Sequence, residues 1–596
     1  MATLTYETFY YSLLSGAKRV IEERRDLNEI NVFPVPDGDT GSNLASMMQT
    51  IINDASLDAD YNKTLISIAD AALIGARGNS GIIFAQYING IVDELEDKDH
   101  LDMDTFSDAV KNAVPYAYKA ISNPVEGTII TVMREFSEAI EALKDKSKDF
   151  TDLLSQAYEK IKVSLLKTRD TLSVLTKANV VDAGAKGFVH FIEGFLHFIK
   201  TGVYEESKPT DAAIAIDHVE HDYDQDETYR YCTEALLSGD HLDKEAVRSV
   251  MESFGDSLVV AGNARKLRLH IHTNTPQHVF HALRPFGTID EQKVDDMQTQ
   301  YALAHNRKYK IALVTDSIAD LPKSFVDKHQ IYVVPINLLI EDSNYYDKLT
   351  ITSEQFYSFM DSLEHYPTSA QPNVKTIENV YSFLSSYFDE IIAITVSEKM
   401  SGTYNVFNQA KERFDDDKAK IHVINSKQNS GAEGLLVMKA AELIEAGKTM
   451  DDVVKTIETL RDQTEILVSV QTLKYMVRSG RVKKTVGIIG KITNLKPVIS
   501  IDKTGEGIIF SKGFSLKGST KKIKNHVKKI MKEEGIDRYA IVHANALDRA
   551  HEYETLFKDI IGKDPEYIMD ISTIVAMSAG IGTVAIAYIK DTDIVQ

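Results

Sequence analysis

Apolar residues recur every three or four positions through the first third of the chain: in Phe9, Leu13, Ala17, Val20 and Ile21, again in Leu65, Ile68 and Ala72, and again in Phe188, Phe191, Phe195 and Ile199. That spacing is the period of an α-helix with one buried face. No convincing apolar-polar alternation precedes about residue 229, so the pattern predicts an all-helical first third. Beyond it the period changes. Tyr229–Leu237 reads as a strand, 243–253 as a helix, Ser257–Ala261 and Lys266–His272 as strands, followed by a helix from Pro276 and a last strand ending near Met297. Strands interleaved with two helices in so short a stretch predict a small α+β domain. From Tyr309, apolar strands at 311–314, Ile331–Leu339, Ile391–Val396 and Ile421–Ile424 alternate with helical stretches, the first opening at Asp320-Leu-Pro. This predicts a parallel sheet, whose ligands bind at the carboxyl ends of strands. The loops there are Thr315–Ser317, Ser397–Tyr404 and Asn425–Lys427. A second subdomain from about 466 holds Arg478-Ser-Gly-Arg481, the Asn494-Leu-Lys-Pro497 turn and two closing strands.

A chain of 596 residues is too long for one core. The changes of period divide it into a helical domain over 1–202, an acidic aperiodic linker over 203–228, the α+β domain over 229–300, and α/β subdomains over 309–465 and 466–596. The formal charge of −21, from 88 acidic against 67 basic residues, argues against nucleic acid as a partner. No apolar run approaches the roughly 20 residues that cross a bilayer, and the N-terminus carries no secretory pattern. One cysteine forms no internal disulfide, so a cytoplasmic location is the default expectation.

The densest chemistry lies in Asn31-Val-Phe-Pro-Val-Pro-Asp-Gly-Asp-Thr-Gly-Ser-Asn-Leu44. Pro34 and Pro36 restrict the loop, and Asp37 and Asp39, two apart across Gly38, can turn both carboxylates to one side. Magnesium takes oxygen ligands at roughly 2.1 Å and keeps waters and phosphates as partners, so one or two aspartates suffice. The segment leads into Leu44, Met47, Met48, Ile51 and Ile52 at helical spacing, so the N–H groups of a helix start would lie beside the ions. That combination suits a nucleoside triphosphate; a capped Pro-Gly-Asp turn is the plain alternative. Three more small-residue segments open helices: Gly75-Ala-Arg-Gly-Asn-Ser-Gly81, where Asn79 and Ser80 offer hydrogen bonds to phosphate, then Glu126-Gly-Thr-Ile-Ile-Thr131, then Asp182-Ala-Gly-Ala-Lys-Gly187. There is no P-loop: Gly447-Lys448-Thr449 lacks the leading glycine and reads as a helix C-terminus.

The order NVFPVPDGDTGSN, GARGNSG, EGTIITVMRE, VVDAGAKGF is similar to the nucleotide-binding domain that the bacterial fatty acid kinase shares with the L component of dihydroxyacetone kinase, and closer to the former, over about residues 1–200. The resemblance implies an all-α barrel of eight helices that binds ATP with two magnesium ions. It implies ion ligands at Asn31, Asp37 and Asp39, the two aspartates being the catalytic groups. It places Ser42, Asn79, Ser80 and Gly81 at the phosphates, and Thr128 and Gly184 around the nucleotide. Dihydroxyacetone kinases carry an aspartate where this chain has Asn31, which lowers the ligand charge by one.

His270 and His272 alternate along the strand Leu267–Thr273, so both imidazoles share a face. Cys232, the sole cysteine, lies in the first strand of the same domain. One thiolate and two imidazoles would make a zinc site with an open position; a sheet face with two solvated histidines and a buried cysteine has the same spacing. The stretches RYCTEALL, DSLVVAG and LRLHIHTNTP resemble the middle domain of the fatty acid kinase, which implies zinc ligands at Cys232, His270 and His272.

VTDSIADLP, TSAQP, SGTYN, SGRV and LKPVIS, in that order over about residues 309–596, resemble the DegV family of lipid-binding proteins. Such proteins enclose one fatty acid, and the match implies contacts to its carboxylate from Ser369 and Ser401, from the backbone N–H of Gly402 and from Arg481. The family's C-terminal histidine is replaced here by Ser578, within Met577-Ser-Ala-Gly-Ile-Gly582. Taken alone, Ser401-Gly402-Thr403 also reads as an ordinary helix N-cap.

Together the resemblances imply phosphoryl transfer from magnesium-ATP to the carboxylate of a fatty acid carried on the same chain, giving an acyl phosphate. A carboxylate is already ionised at pH 7, so no strong base is needed. The expected partners are ATP, a fatty acid or similar acyl lipid, and a second copy in a homodimer. The lysine-rich stretch Lys512–Lys532 reads as a docking face for an acidic domain or an anionic membrane, or as a solvated helix face. Two rival readings are a kinase for a small triose such as dihydroxyacetone, whose histidine-bearing substrate domain nothing here resembles, and a lipid-binding or regulatory module whose nucleotide site acts only as a switch.

Overall fold

The computed structural model of the chain describes residues 3–33, 38–98, 100–121, 124–204, 229–414, 419–479 and 495–591. Asp37, with Pro34 and Pro36, Arg481, and the linker from 205 to 228 lie outside the described residues. The chain divides into two compact units, Met1–Tyr301 and Ala302–Gln596.

The first unit opens with α1 (Tyr6–Glu22), α2 (Arg24–Glu29), α3 (Thr40–Asp54), α4 (Tyr61–Gly75), α5 (Gly78–Leu95), α6 (Met103–Ala120), α7 (Ile129–Leu143), α8 (Phe150–Thr171), α9 (Ser173–Ala178) and α10 (Ala183–Thr201). Eight of these are long, and they pack in a closed ring: α1 on α3, α3 on α4, then α5, α6, α7, α8 and α10 in turn, and α10 back on α1. The remaining two, α2 and α9, are six-residue pieces. The α1–α10 crossing is close because Gly16 and Gly194 lie in it: a Cβ on Gly16 would fall 2.7 Å from Phe191 O, and one on Gly194 2.4 Å from Ser15 O. Inside the ring the apolar stripe is buried, and Phe84 meets Phe188 and Phe191 edge-on at 5.5 and 5.1 Å. One strand pair escaped the sequence reading: β1 (Thr3–Leu4) runs antiparallel to β2 (Leu101–Asp102), and two residues are too few to show a period.

The same unit continues with β3 (Tyr231–Ser238), α11 (Lys244–Met251), β4 (Gly255–Gly262), β5 (Lys266–Thr273), α12 (Pro276–Leu283) and β6 (Thr288–Asp296). The strands form an antiparallel sheet in the order β4-β5-β3-β6. Directly paired residues share a face, and one face turns toward the helical ring. Val259 and Ala261 of β4 join the ring's core, Gly262 N–H donates to the Gln86 side chain of α5 at 2.6 Å, and Ile121, just after α6, forms a bridge with Val259. Val259 pairs with His270 and Ala261 with Arg268, so the β5 histidines face the helices.

In the second unit a parallel sheet runs in the order Lys420–Asn425, Glu390–Thr395, Ile311–Asp316, Tyr332–Val334. The single strand expected over 331–339 is two. Tyr332–Val334 joins the parallel sheet, whereas Asn337–Ile340 joins a separate three-stranded antiparallel sheet. Pro335 stands between them and has no N–H to give to either ladder. The two closing strands expected after 466 are part of a six-stranded sheet, ordered Gly507–Ser511, Val498–Ile501, Thr464–Ser469, Val584–Lys590, Ile536–His543, Ile568–Asp570. Its central strands are short apolar runs that periodicity alone cannot separate from buried helix.

Candidate functional site

The four small-residue segments open α3, α5, α7 and α10, and they meet. A Cβ on Gly78, the first residue of α5, would fall 2.3 Å from Asn43 Nδ2 of α3, and Gly78 holds φ +57°, which only glycine adopts cheaply. A Cβ on Gly184 of α10 would lie 3.0 Å from Ser80 Oγ of α5 and 3.3 Å from Ile129 Cβ of α7. Asp182 binds two of these starts together: its carboxylate accepts from Ala185 N at 2.8 Å and from the backbone of Ile129, and burial pushes its pKa up to about 6. The four helix starts therefore lie against one another; those of α7 and α10 share the Asp182 carboxylate, and those of α3 and α5 open on a cleft, where their partial positive ends favour an anion.

Asn31, Asp39, Thr40, Asn43, Asn79 and Ser80 line one cleft. The Thr40 hydroxyl donates to Asn31 Oδ1. Asn79 Oδ1 is buried and has no hydrogen-bond partner among the described residues, an acceptor of the kind a bound cation satisfies. Ser42 instead braces α3 from within, its N–H donating to Asn28 Oδ1 at 3.0 Å and its hydroxyl accepting from Asn28 Nδ2 at 2.9 Å. Gly81 sits under the Asn43 carbonyl, and the Thr128 hydroxyl donates to Val125 O at 2.8 Å.

The sheet forms the other wall of this cleft. Cys232 pairs with His272 and with Asp295, and Glu234 with His270 and with Lys293, so all six present one face. Cys232 Sγ lies 3.8 Å from His270 Nδ1, the two imidazole centroids are 5.1 Å apart, and one ligand atom from each of Cys232, His270 and His272 lies within 4.8 Å of the others. His270 Nε2 is buried and has no hydrogen-bond partner among the described residues. This donor set fits zinc with a position left open. Burial, then the Glu234 charge, pushes the Cys232 thiol well above its usual range, so a thiolate there requires a cation beside it.

Charges lock the two walls together. Glu234 Oε1 accepts from Gly78 N at 2.8 Å, and Oε2 accepts from Arg268 at 3.1 Å, both side chains being 1% exposed. Burial opposes ionisation of Glu234, but the hydrogen bond from His270 and the Arg268 charge outweigh it and hold the carboxyl well below its usual range. Lys293 Nζ lies 2.7 Å from Asp295; burial works against its charge, while Asp295 and Glu234 hold the ammonium above its usual range. Among the described residues that line the cleft, Lys293 is the one lysine or arginine, beside Asp39, Asp295 and Glu234, the last already paired with Arg268; a bound metal ion would add positive charge there.

In the second unit, Ser369, Ser401, Gly402 and Ser578 line a single cavity of about 270 Å³. Its walls are otherwise mostly apolar, with Val396 at the end of a parallel-sheet strand, Val468 and Ala585 from the six-stranded sheet, and Ile574 from the helix Thr573–Ala579. The Ser401 and Thr403 hydroxyls are 2.8 Å apart, and the Gln371 side chain lies over Gly402, where a Cβ would fall 1.6 Å from Gln371 Oε1. Among the described residues no charged side chain lines this cavity.

Comparison with known proteins gives three family matches in series: the DAK2 domain over residues 34–197, the middle domain of the fatty acid kinase A-like family over 228–303, and the DegV family, described as uncharacterised, over 310–591. The chain joins a DAK2 domain, a fatty acid kinase-like middle domain and a DegV domain. It is similar to an uncharacterized protein of Staphylococcus epidermidis, 33% identical over 303 residues that make up 48% of this chain and 54% of the relative. It is also similar to protein YloV of Bacillus subtilis, 31% identical over 323 residues, 52% of this chain and 58% of the relative. The chain therefore matches little more than half the length of these relatives. Among solved structures it is similar to DegV, a fatty acid binding protein from Bacillus subtilis, and to a stearic acid-binding protein from Eubacterium ventriosum, each at 24% identity and a TM-score of 0.44, covering 48% of this chain and 100% of the other. Among the described residues no helix is long and apolar enough to cross a membrane.

Within the DAK2 and middle domains, sequence reading missed Asn28, Glu234, Lys293 and Asp295. The last three had a signal: each stands two positions from another polar residue of the cleft face or directly across the sheet from one, which strand alternation exposes once the pairing is known. In the DegV domain it missed Gln371, although the TSAQP stretch contains it.

Proposed function

We propose that this chain transfers the γ-phosphate of magnesium-ATP, bound in the cleft shared by the DAK2 and middle domains, to the carboxylate of a fatty acid held by the DegV domain. A carboxylate oxygen forms a bond to the γ-phosphorus as the bond to the β–γ bridging oxygen breaks, leaving an acyl phosphate and ADP with no proton to remove. One observation carries this reading: the N-termini of α3 and α5, the Asp39 carboxylate and the Cys232–His270–His272 cluster line one cleft. Asn31 and Asp39, with Asp37 two positions before Asp39 in the sequence, would hold magnesium, which supplies charge neutralisation at the phosphates. Cys232, His270 and His272 would hold zinc, and Lys293 adds a fixed positive charge to the same cleft. In the DegV domain, the hydroxyls of Ser369, Ser401 and Ser578 and the Gly402 N–H supply hydrogen bonds for an acyl head group, and the apolar walls suit its chain. Carrying both sites on one chain raises the effective concentration of the acyl substrate. Cytoplasmic ATP would supply the reaction.

The test uses the purified chain with ATP, magnesium and a panel of fatty acids, following ADP release and trapping acyl phosphate as the hydroxamate. ADP release that depends on fatty acid and yields hydroxamate is the expected result. Turnover that depends on dihydroxyacetone instead, or nucleotide binding without turnover, would overturn the reading.

A further inference from the structure

We infer that the Glu234 carboxylate couples the two walls of the cleft, so that a divalent metal at Cys232, His270 and His272 tightens binding of magnesium-ATP, and the nucleotide tightens the metal. The inference rests on the nucleotide reading proposed for this cleft. It makes Glu234 a positioning residue.

One carboxylate oxygen touches both sides. Glu234 Oε1 accepts the Gly78 N–H at 2.8 Å and lies 3.4 Å from His270 Nδ1. The other oxygen is held by Arg268 at 3.1 Å, which fixes the rotation of the group. Gly78 begins α5 and is followed directly by Asn79 and Ser80, the side chains that line the phosphate end of the cleft. Gly78 is itself fixed by its positive φ and by Asn43 packed against it, so a displaced carboxylate shifts the start of the helix as a body. On the other side the same oxygen sets the plane of the His270 ring, whose remaining nitrogen, Nε2, is buried with no hydrogen-bond partner among the described residues. A carboxylate behind a metal-ligating histidine orients the ring and raises its basicity. Here that carboxylate also caps the phosphate helix. Ordering either neighbour of Oε1 orders the oxygen for the other, and such coupling is reciprocal in binding free energy.

The experiment is calorimetric titration of the full chain with a non-hydrolysable ATP analogue and magnesium, after chelation and again with zinc restored, paired with zinc affinity by chelator competition with and without the analogue. The expected result is that both affinities rise by the same factor, about 5-fold or more. In Glu234→Gln the factor falls to about one. In Glu291→Gln, which loosens the same ion cluster without touching Gly78 or His270, the factor persists. Affinities independent of each other in the unmodified chain, or a factor unchanged in Glu234→Gln, overturn the coupling. Should Glu234→Gln fail to fold, the pair of titrations on the unmodified chain decides the matter alone. Equal nucleotide affinity with and without zinc sinks the coupling only, whereas no nucleotide binding in either condition sinks the proposed function with it.

Discussion

Arg77, at the entrance to the phosphate helix, meets Glu291 of the last middle-domain strand at 3.1 Å, and Arg268 reaches the same Glu291 oxygen at 3.0 Å. One carboxylate thus bridges two guanidiniums, Arg77 across the domain junction and Arg268 from its own sheet. Burial, then the neighbouring Arg268 charge, pulls Arg77 below its usual range, so the pair is held against a cost. Glu291→Ala would leave Arg77 without that partner, whereas Arg268 would keep Glu234. Glu291 is 40% exposed, so solvent screening reduces the effect to about 1 kcal/mol. Urea unfolding of the full chain, with hydrogen exchange read over residues 75–81 and 288–296, checks this; unchanged exchange in both stretches would refute it.

Asp39 stands just before α3 and lines the cleft with Asn79 and Ser80. Asp39→Ala is expected to weaken magnesium-ATP binding by about tenfold or more, roughly 1.4 kcal/mol, because a single ion ligand and its charge are lost. Ser42→Ala should behave in the opposite sense. Its hydroxyl and N–H are engaged by Asn28, so the variant lowers the melting temperature more than it changes nucleotide affinity. Calorimetry and thermal melts on both variants separate the roles, and equal affinity losses would contradict this division.

The contrast between Asp39 and Ser42 shows where sequence reading reaches its limit. The helices were legible because a buried stripe repeats over several turns, as in Phe188, Phe191 and Phe195. The four helix starts were legible because small residues and glycines mark close approaches. Which of them face the cleft was not, since Ser42 and Asn43 are adjacent and their directions depend on Asn28, fourteen residues from Ser42. Glu234 escaped notice for the same reason: its two most informative neighbours, Gly78 and His270, are 156 and 36 residues away. The histidine pair could be read from strand alternation because it lies within one strand. Pro335 could have warned that 331–339 is not a single strand.

The cavity in the second unit makes a steric prediction. Ser578 lines it from the helix Thr573–Ala579, opposite the apolar side chains of the six-stranded sheet. Ser578→Phe would occupy a large part of the roughly 270 Å³ and is expected to abolish retention of a fatty acid while leaving magnesium-ATP affinity unchanged. Native mass spectrometry of the purified variant, with displacement of a fluorescent fatty acid, reads the outcome. Retention equal to that of the unmodified chain would show that the acyl group lies elsewhere.

Two buried aspartates beside that cavity tie stability to pH. Asp347 accepts from Ser317 Oγ at 2.7 Å and from Thr573 N at 2.8 Å, bracing the start of the helix that carries Ser578. Burial, against a smaller opposing effect of Lys348, pushes its pKa up to about 6, and burial does the same to Asp316. Because the folded pKa lies above the unfolded 3.8, the folded state keeps protons that the unfolded chain releases between pH 4 and 6. The associated stability is complete below about pH 4 and is lost as pH rises through about 6, to the extent of roughly 2–3 kcal/mol per group. Glu465 acts in a separate window: burial is outweighed by hydrogen bonds from His526, Lys590 and Tyr588, its pKa falls to about 2, and its contribution is lost only as pH drops from 4.5 toward 2. Asp347→Asn keeps an acceptor for Thr573 N and a donor toward Ser317, but cannot ionise. Relative to the unmodified chain it should therefore gain roughly 2 kcal/mol in going from pH 4.5 to pH 7, measured by denaturant unfolding at both values. A difference between the two proteins that stays constant over this range would mean that Asp347 does not titrate there.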